Sequence, residues 1–72
     1  MYGPFMELFI NGEAKQFTTD QMTVSALVEE LSLPPTRIAV ELNGHIVRQA
    51  SRNATSLKGG DRLEIVTLVG GG

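Results

Sequence analysis

Two Asn-Gly pairs constrain this 72-residue chain more than any other feature, because each follows a segment in which apolar side chains alternate. Met6, Leu8 and Ile10 alternate with Glu7 and Phe9 ahead of Asn11-Gly12, and Ile38, Val40 and Leu42 alternate with Ala39 and Glu41 ahead of Asn43-Gly44. A period of two puts one apolar face of a strand against a core and leaves Phe9 on the other face. Asn-Gly is the pair best suited to the positive backbone angles of a two-residue hairpin turn. A weaker returning strand through Phe17 closes the first hairpin, and the short apolar pair Ile46-Val47 closes the second.

Between the hairpins the period changes. Val24, Leu27, Val28 and Leu31 fall on one face of a helix, with Glu29 and Glu30 turned to water. The Thr23 hydroxyl is placed to cap its first turn, with Met22 and Leu27 at the positions of a hydrophobic staple. Pro34 and Pro35 cannot continue the helix, which predicts an end near Ser32. Gln49 to Ser56 is polar and reads as irregular; Leu57 and the turn Gly59-Gly60-Asp61 lead into a last strand, Arg62 to Val69. A helix separating two hairpins predicts an α+β roll, a mixed sheet of four to five strands with one main helix packed across one face. Residues 6–69 form this single domain. Met1 to Phe5, with Gly3 and Pro4 breaking any pattern, reads as a leader or tag-like extension, and residues 70–72 as a flexible tail.

So short a chain has no room for a separate substrate domain. The absence of cysteine removes thiol nucleophiles, zinc clusters and redox switches together. A net charge of -2 has the wrong sign for a chain that binds by neutralising phosphates, so nucleic acid is not expected as a partner. No apolar run is long enough for a membrane span, and the start lacks the pattern of a secretion signal. The expectation is a cytoplasmic protein, monomeric when free. His45, the single histidine, sits beside a hairpin turn with no partner set for catalysis and too few ligands for a metal. Gly59 and Gly60 lack the lysine, spacing and following helix of a phosphate-binding loop and make a turn.

The informative segment is Gly70-Gly71-Gly72. A glycine run is commonly a flexible tail or linker remnant, since glycine loses much freedom on ordering. The same absence of side chains lets the segment extend through a narrow channel and deliver an unhindered carboxylate to another enzyme's active site. A carboxylate becomes an acyl donor only when activated; reaction with ATP would give an acyl adenylate, from which a sulfur nucleophile would displace AMP. With Leu63 and Ile65 facing the core, alternation turns Val66 and Leu68 outward beside that tail, where they suit docking on a partner.

These motifs together resemble the ubiquitin-like β-grasp proteins, and within them the small sulfur carriers of thiamine thiazole biosynthesis. The resemblance runs from Met6 to Gly72 through Met6-Glu7-Leu8-Phe9-Ile10-Asn11-Gly12, Val40-Glu41-Leu42-Asn43-Gly44, Gly60-Asp61 with Leu63-Glu64-Ile65, and Val69-Gly70-Gly71-Gly72. It implies that the Gly72 carboxylate is adenylated by an ATP-dependent enzyme and converted to a thiocarboxylate that donates sulfur through thiazole synthase. It also implies a sulfur-donor protein, and partner contacts through Val66, Leu68, Val69, Gly70 and Gly71. No cofactor is expected on the chain itself; ATP is used by the activating enzyme. The chain is then a co-substrate of other enzymes and no catalyst. Molybdopterin, transfer-RNA thiolation and amino-acid sulfur carriers share the chemistry up to the acceptor, and a β-grasp interaction module that never reacts stands as the reading from another class.

Overall fold

The alternating segments become strands because each has an apolar face to bury and a turn that returns the chain. In the computed structural model, which describes residues 3–69, β1 (Met6–Ile10) and β2 (Glu13–Phe17) form the first hairpin, and β4 (Ile38–Leu42) and β5 (His45–Val47) the second. Asn11 and Asn43 adopt φ of 52° and 51°, followed by Gly12 and Gly44 at 85° and 89°, the doubly positive turn that matches the twist of the flanking strands. The last strand, β7 (Arg62–Thr67), enters the middle of the sheet, parallel to β1 and antiparallel to β4. The five-stranded order is β2-β1-β7-β4-β5. This is the mixed sheet of the β-grasp roll.

One helix, α1 (Val24–Glu30), crosses the inner face. Val24, Leu27 and Val28 are buried among Leu8, Val40, Leu63 and Ile65 of the three central strands. Fully burying each such side chain contributes about 1.5–3 kcal/mol relative to leaving it in water. Thr23 caps the helix as expected, its Oγ1 accepting from the Ala26 amide at 3.1 Å. Met22 packs half-buried against the core.

Two details depart from the sequence reading, whereas the helix ends near Ser32 as expected: Ser32 takes a left-handed φ of 56°, and the amides of Ser32 and Leu33 donate to the carbonyls of Glu29 and Val28. That pair of bonds is the Schellman arrangement, here with serine where glycine is usual. The segment expected to be irregular instead holds a 3₁₀ helix, Gln49–Ala54, and a short strand, β6 (Ser56–Leu57), paired with β3 (Met22–Thr23). Arg52 anchors it. Although charged, Arg52 is only 5% exposed, its guanidinium donating to the carbonyls of Pro35 at 2.7 Å and Ile38 at 3.0 Å. The final strand ends at Thr67, two residues earlier than expected. Gly3 to Phe5 lie outside the strands with Phe5 exposed, and Met1 and Tyr2 of the expected leader lie outside the described residues.

Candidate functional site

The site is built around β7, because the expected tail continues from it. Two side-chain amides, one from each hairpin turn, fasten this strand. Asn11 Nδ2 donates to the Ile65 carbonyl at 3.0 Å while its Oδ1 accepts from the Ile65 amide at 2.7 Å. The side chain thus prolongs a β1–β7 ladder whose parallel register is only Phe9 with Arg62 and Ile10 with Leu63. Asn43 Oδ1 accepts from the Arg62 amide, and its Nδ2 donates to Asp61 Oδ1, both at 3.0 Å. Asp61 is itself buried and accepts from the Lys58 amide at 2.8 Å through its other oxygen, closing the turn before β7. After the strand, the Leu68 amide donates to the Arg37 carbonyl at 2.6 Å. The chain is therefore held up to the residue before Val69.

Leu63 and Ile65 are buried, whereas Val66 is 54% exposed and Leu68 53%. The outward placement deduced from alternation is what the structure shows. Val69 is 87% exposed. Gly70, Gly71 and Gly72 lie outside the described residues.

One exposed apolar residue escaped the sequence reading. Ile46, on the edge strand β5, is 67% exposed. The register pairs Glu41 with Ile46 and Ala39 with Val66, so Ile46 shares the outer face with Val66. A shallow hollow of about 90 Å³ lies there, lined by Ala39, Glu41, Ile46, Glu64 and Val66. The signal was available: if Val47 turns inward, Ile46 must turn out. On the same face the Arg62 guanidinium carbon lies over the Phe9 ring, 5.0 Å from its centre, a cation–π contact.

His45 is exposed at its turn, and among the described residues no three His, Asp or Glu side chains gather as metal ligands. A larger open hollow of about 480 Å³, between Asp20–Thr23 and Ser56-Leu57, is bordered by the β3–β6 pair, away from β7. Among the described residues no helix is long and apolar enough to cross a membrane.

Residues 4–72 match the model of the ThiS family. The chain is 45% identical over 67 residues to a thiazole synthase of Paramagnetospirillum magneticum, a match covering 93% of this chain and 20% of that protein. It spans, then, a fifth of the length of that relative. It is 35% identical over 63 residues to the uncharacterized protein ycf40 of Pyropia yezoensis, covering 88% of this chain and 87% of that one. Among solved structures, the crystal structure of thiamine biosynthesis protein ThiS from Geobacter metallireducens superposes with a TM-score of 0.83 at 30% identity, covering 93% of this chain and all of the other. A solution structure of a thiamine biosynthesis protein from the same organism gives 0.79, also at 30% identity.

Proposed function

This chain belongs to the ThiS family, and from that premise we propose that it is a sulfur carrier for thiamine thiazole synthesis whose reactive group is the carboxylate of Gly72. The observation that carries the reading is the strand leading to the glycines: β7 is fastened by Asn11, Asn43 and the Arg37 carbonyl up to Leu68, and Val69-Gly70-Gly71-Gly72 follows at once within the family match. A rigid base with a side-chain-free extension suits a group that must be inserted into another protein's active site.

The chemistry runs in two steps on a partner. The Gly72 carboxylate oxygen attacks the α-phosphorus of ATP and pyrophosphate leaves, giving an acyl adenylate. Hydrosulfide then adds to the acyl carbon and expels AMP, and the resulting thioacid loses its proton to leave a thiocarboxylate. The carrier contributes no acid or base; it supplies the acyl group and the surface by which it is held. Val66, Leu68 and Val69, with Ile46 beside them, form the apolar part of that surface.

The acceptor enzyme is thiazole synthase. A thiazole synthase relative carrying a segment 45% identical to this chain supports that assignment, and the family match favours it over the molybdopterin and transfer-RNA alternatives. The adenylating enzyme and the sulfur donor follow from the chemistry, as does a cytoplasmic site where ATP is available. Incubating the chain with ATP, sulfide and the activating enzyme of its host, and weighing it intact, tests the reading. Exchange of one oxygen for sulfur on Gly72 is expected; an unchanged mass would overturn it.

A further inference from the structure

Past Ile65, the strand that leads to the glycines is held from one side. The Asn11 bonds stop at Ile65, and the parallel register with β1 stops at Leu63. Beyond them β7 is laddered to β4 alone, as far as Ile38 with Thr67, and the Leu68 amide then donates to the Arg37 carbonyl at 2.6 Å. Residues 37 and 38 therefore set where the tail leaves the sheet. The chain that enters β4 has little packing of its own, because residues 34–37 are all exposed. Within it, the Arg37 amide donates to the Pro34 carbonyl at 3.1 Å.

Arg52 fastens this exposed segment to the body of the protein. Its two terminal nitrogens donate to the carbonyls of Pro35 and Ile38, one on each side of Arg37. It reaches them from a docked element: Thr55, which follows the 3₁₀ helix, accepts from the Val24 amide at the start of α1 at 2.9 Å, and the β3–β6 pair comes next. A buried guanidinium is a costly way to gain stability. Arg52 is almost fully buried, its Nε has no partner, and among the described residues no carboxylate pairs with it. An apolar side chain of similar volume would fill the space without the cost of desolvating a charge. What it could not supply is the planar fork, two bonds of fixed direction to two carbonyls at once.

Resting on the sulfur-carrier reading above, we propose that Arg52 is a positioning residue for the reacting carboxylate. By fixing the Pro35 and Ile38 carbonyls it fixes the Arg37 carbonyl between them, through that the Leu68 amide, and so the point from which Val69-Gly70-Gly71-Gly72 departs. Its action runs through the main chain. A misplacement of 1 Å at a reacting group can reduce a rate about 100-fold, so a small shift at the root of the tail is enough to matter.

The test uses Arg52→Met and Arg52→Lys in the full chain, so that a folding defect in one leaves the other informative. Methionine fills the space without donors; lysine keeps the charge but puts one nitrogen where the fork puts two. Amide hydrogen exchange reads the first link. The Leu68 amide should exchange on the order of tenfold faster than in wild type, while the Asn11 amide, which donates to the Leu63 carbonyl on the other side of β7 at 2.9 Å, stays within about twofold. Thiocarboxylate formation with ATP, sulfide and the activating enzyme reads the second. Here kcat should fall on the order of tenfold or more with KM for the carrier within about twofold, because the residues that dock are kept and only the delivery of the carboxylate is changed. Equal acceleration at Leu68 and Asn11 would make Arg52 a general stabiliser and overturn the proposal, as would an unchanged kcat in a folded variant. Failure of wild type itself to gain sulfur would overturn the carrier reading instead, and the exchange comparison would still decide whether Arg52 holds Leu68.

Discussion

Asn11 and Ile65, 54 residues apart in sequence, exchange two hydrogen bonds, the asparagine side chain giving one to the Ile65 carbonyl and taking one from its amide. A turn residue of the first hairpin thereby acts as an extra rung of the ladder that holds the last strand. The Asn-Gly pair has a double role: its backbone makes the turn and its side chain sets the position of the strand that carries the tail.

Replacing Asn11 with Asp tests that bond pair. Aspartate tolerates the left-handed backbone, but sets a carboxylate oxygen against the Ile65 carbonyl where a donor stood. A stability loss of about 1–3 kcal/mol is expected, read from urea unfolding. A loss under about 0.5 kcal/mol, the range of ordinary surface changes, would show that the side chain does not hold β7.

Leu27 is fully buried under the sheet, so Leu27→Ala should destabilise by about 2–5 kcal/mol. Thr23→Ala, which removes the cap on the Ala26 amide, should cost about 0.5–2 kcal/mol. Denaturant unfolding that ranks the two in reverse order would contradict the packing of α1 described above.

The split between what was legible and what was not follows the range of the interactions. Both hairpins, the outward turn of Val66 and the Thr23 cap depend on neighbours a few residues away, and alternation or helical spacing displays them directly. The Asn11–Ile65 and Asn43–Asp61 bonds join distant segments, and no local period encodes them. The β3–β6 pair is two residues long on each side, too short for any period to register. Arg52 did not stand out in a polar stretch read as irregular, because its acceptors, the Pro35 and Ile38 carbonyls, lie 17 and 14 residues away in sequence. Pro34 and Pro35 marked the end of the helix near Ser32, but no glycine marks the left-handed turn that Ser32 makes there. Ile46 was visible as an apolar residue but gained meaning only when the register set it beside Glu41 and on the face of Val66.

The exposed apolar surface beside the tail gives a prediction with opposite outcomes for folding and binding. Val66 and Leu68 are more than half exposed, so changing both to Ser should leave stability within about 1 kcal/mol of wild type while weakening the complex with the activating enzyme on the order of tenfold or more. Isothermal titration, with circular dichroism as the folding control, separates the two effects. Unchanged affinity would remove these residues from the interface.

The most direct test of the account is the mass of the chain after reaction with ATP, sulfide and the activating enzyme, compared among three forms: one ending at Gly72, one lacking Gly72, and one with a single alanine added after it. Removing Gly72 leaves a glycine carboxylate about 3.5 Å short of the reacting position, and a misplacement of even 1 Å can reduce a rate about 100-fold. The added alanine displaces the carboxylate the other way and gives it a side chain. Stability should be the same in all three. The account predicts sulfur in place of oxygen on the first form and unchanged mass on the other two; equal sulfur gain by the extended form would contradict it.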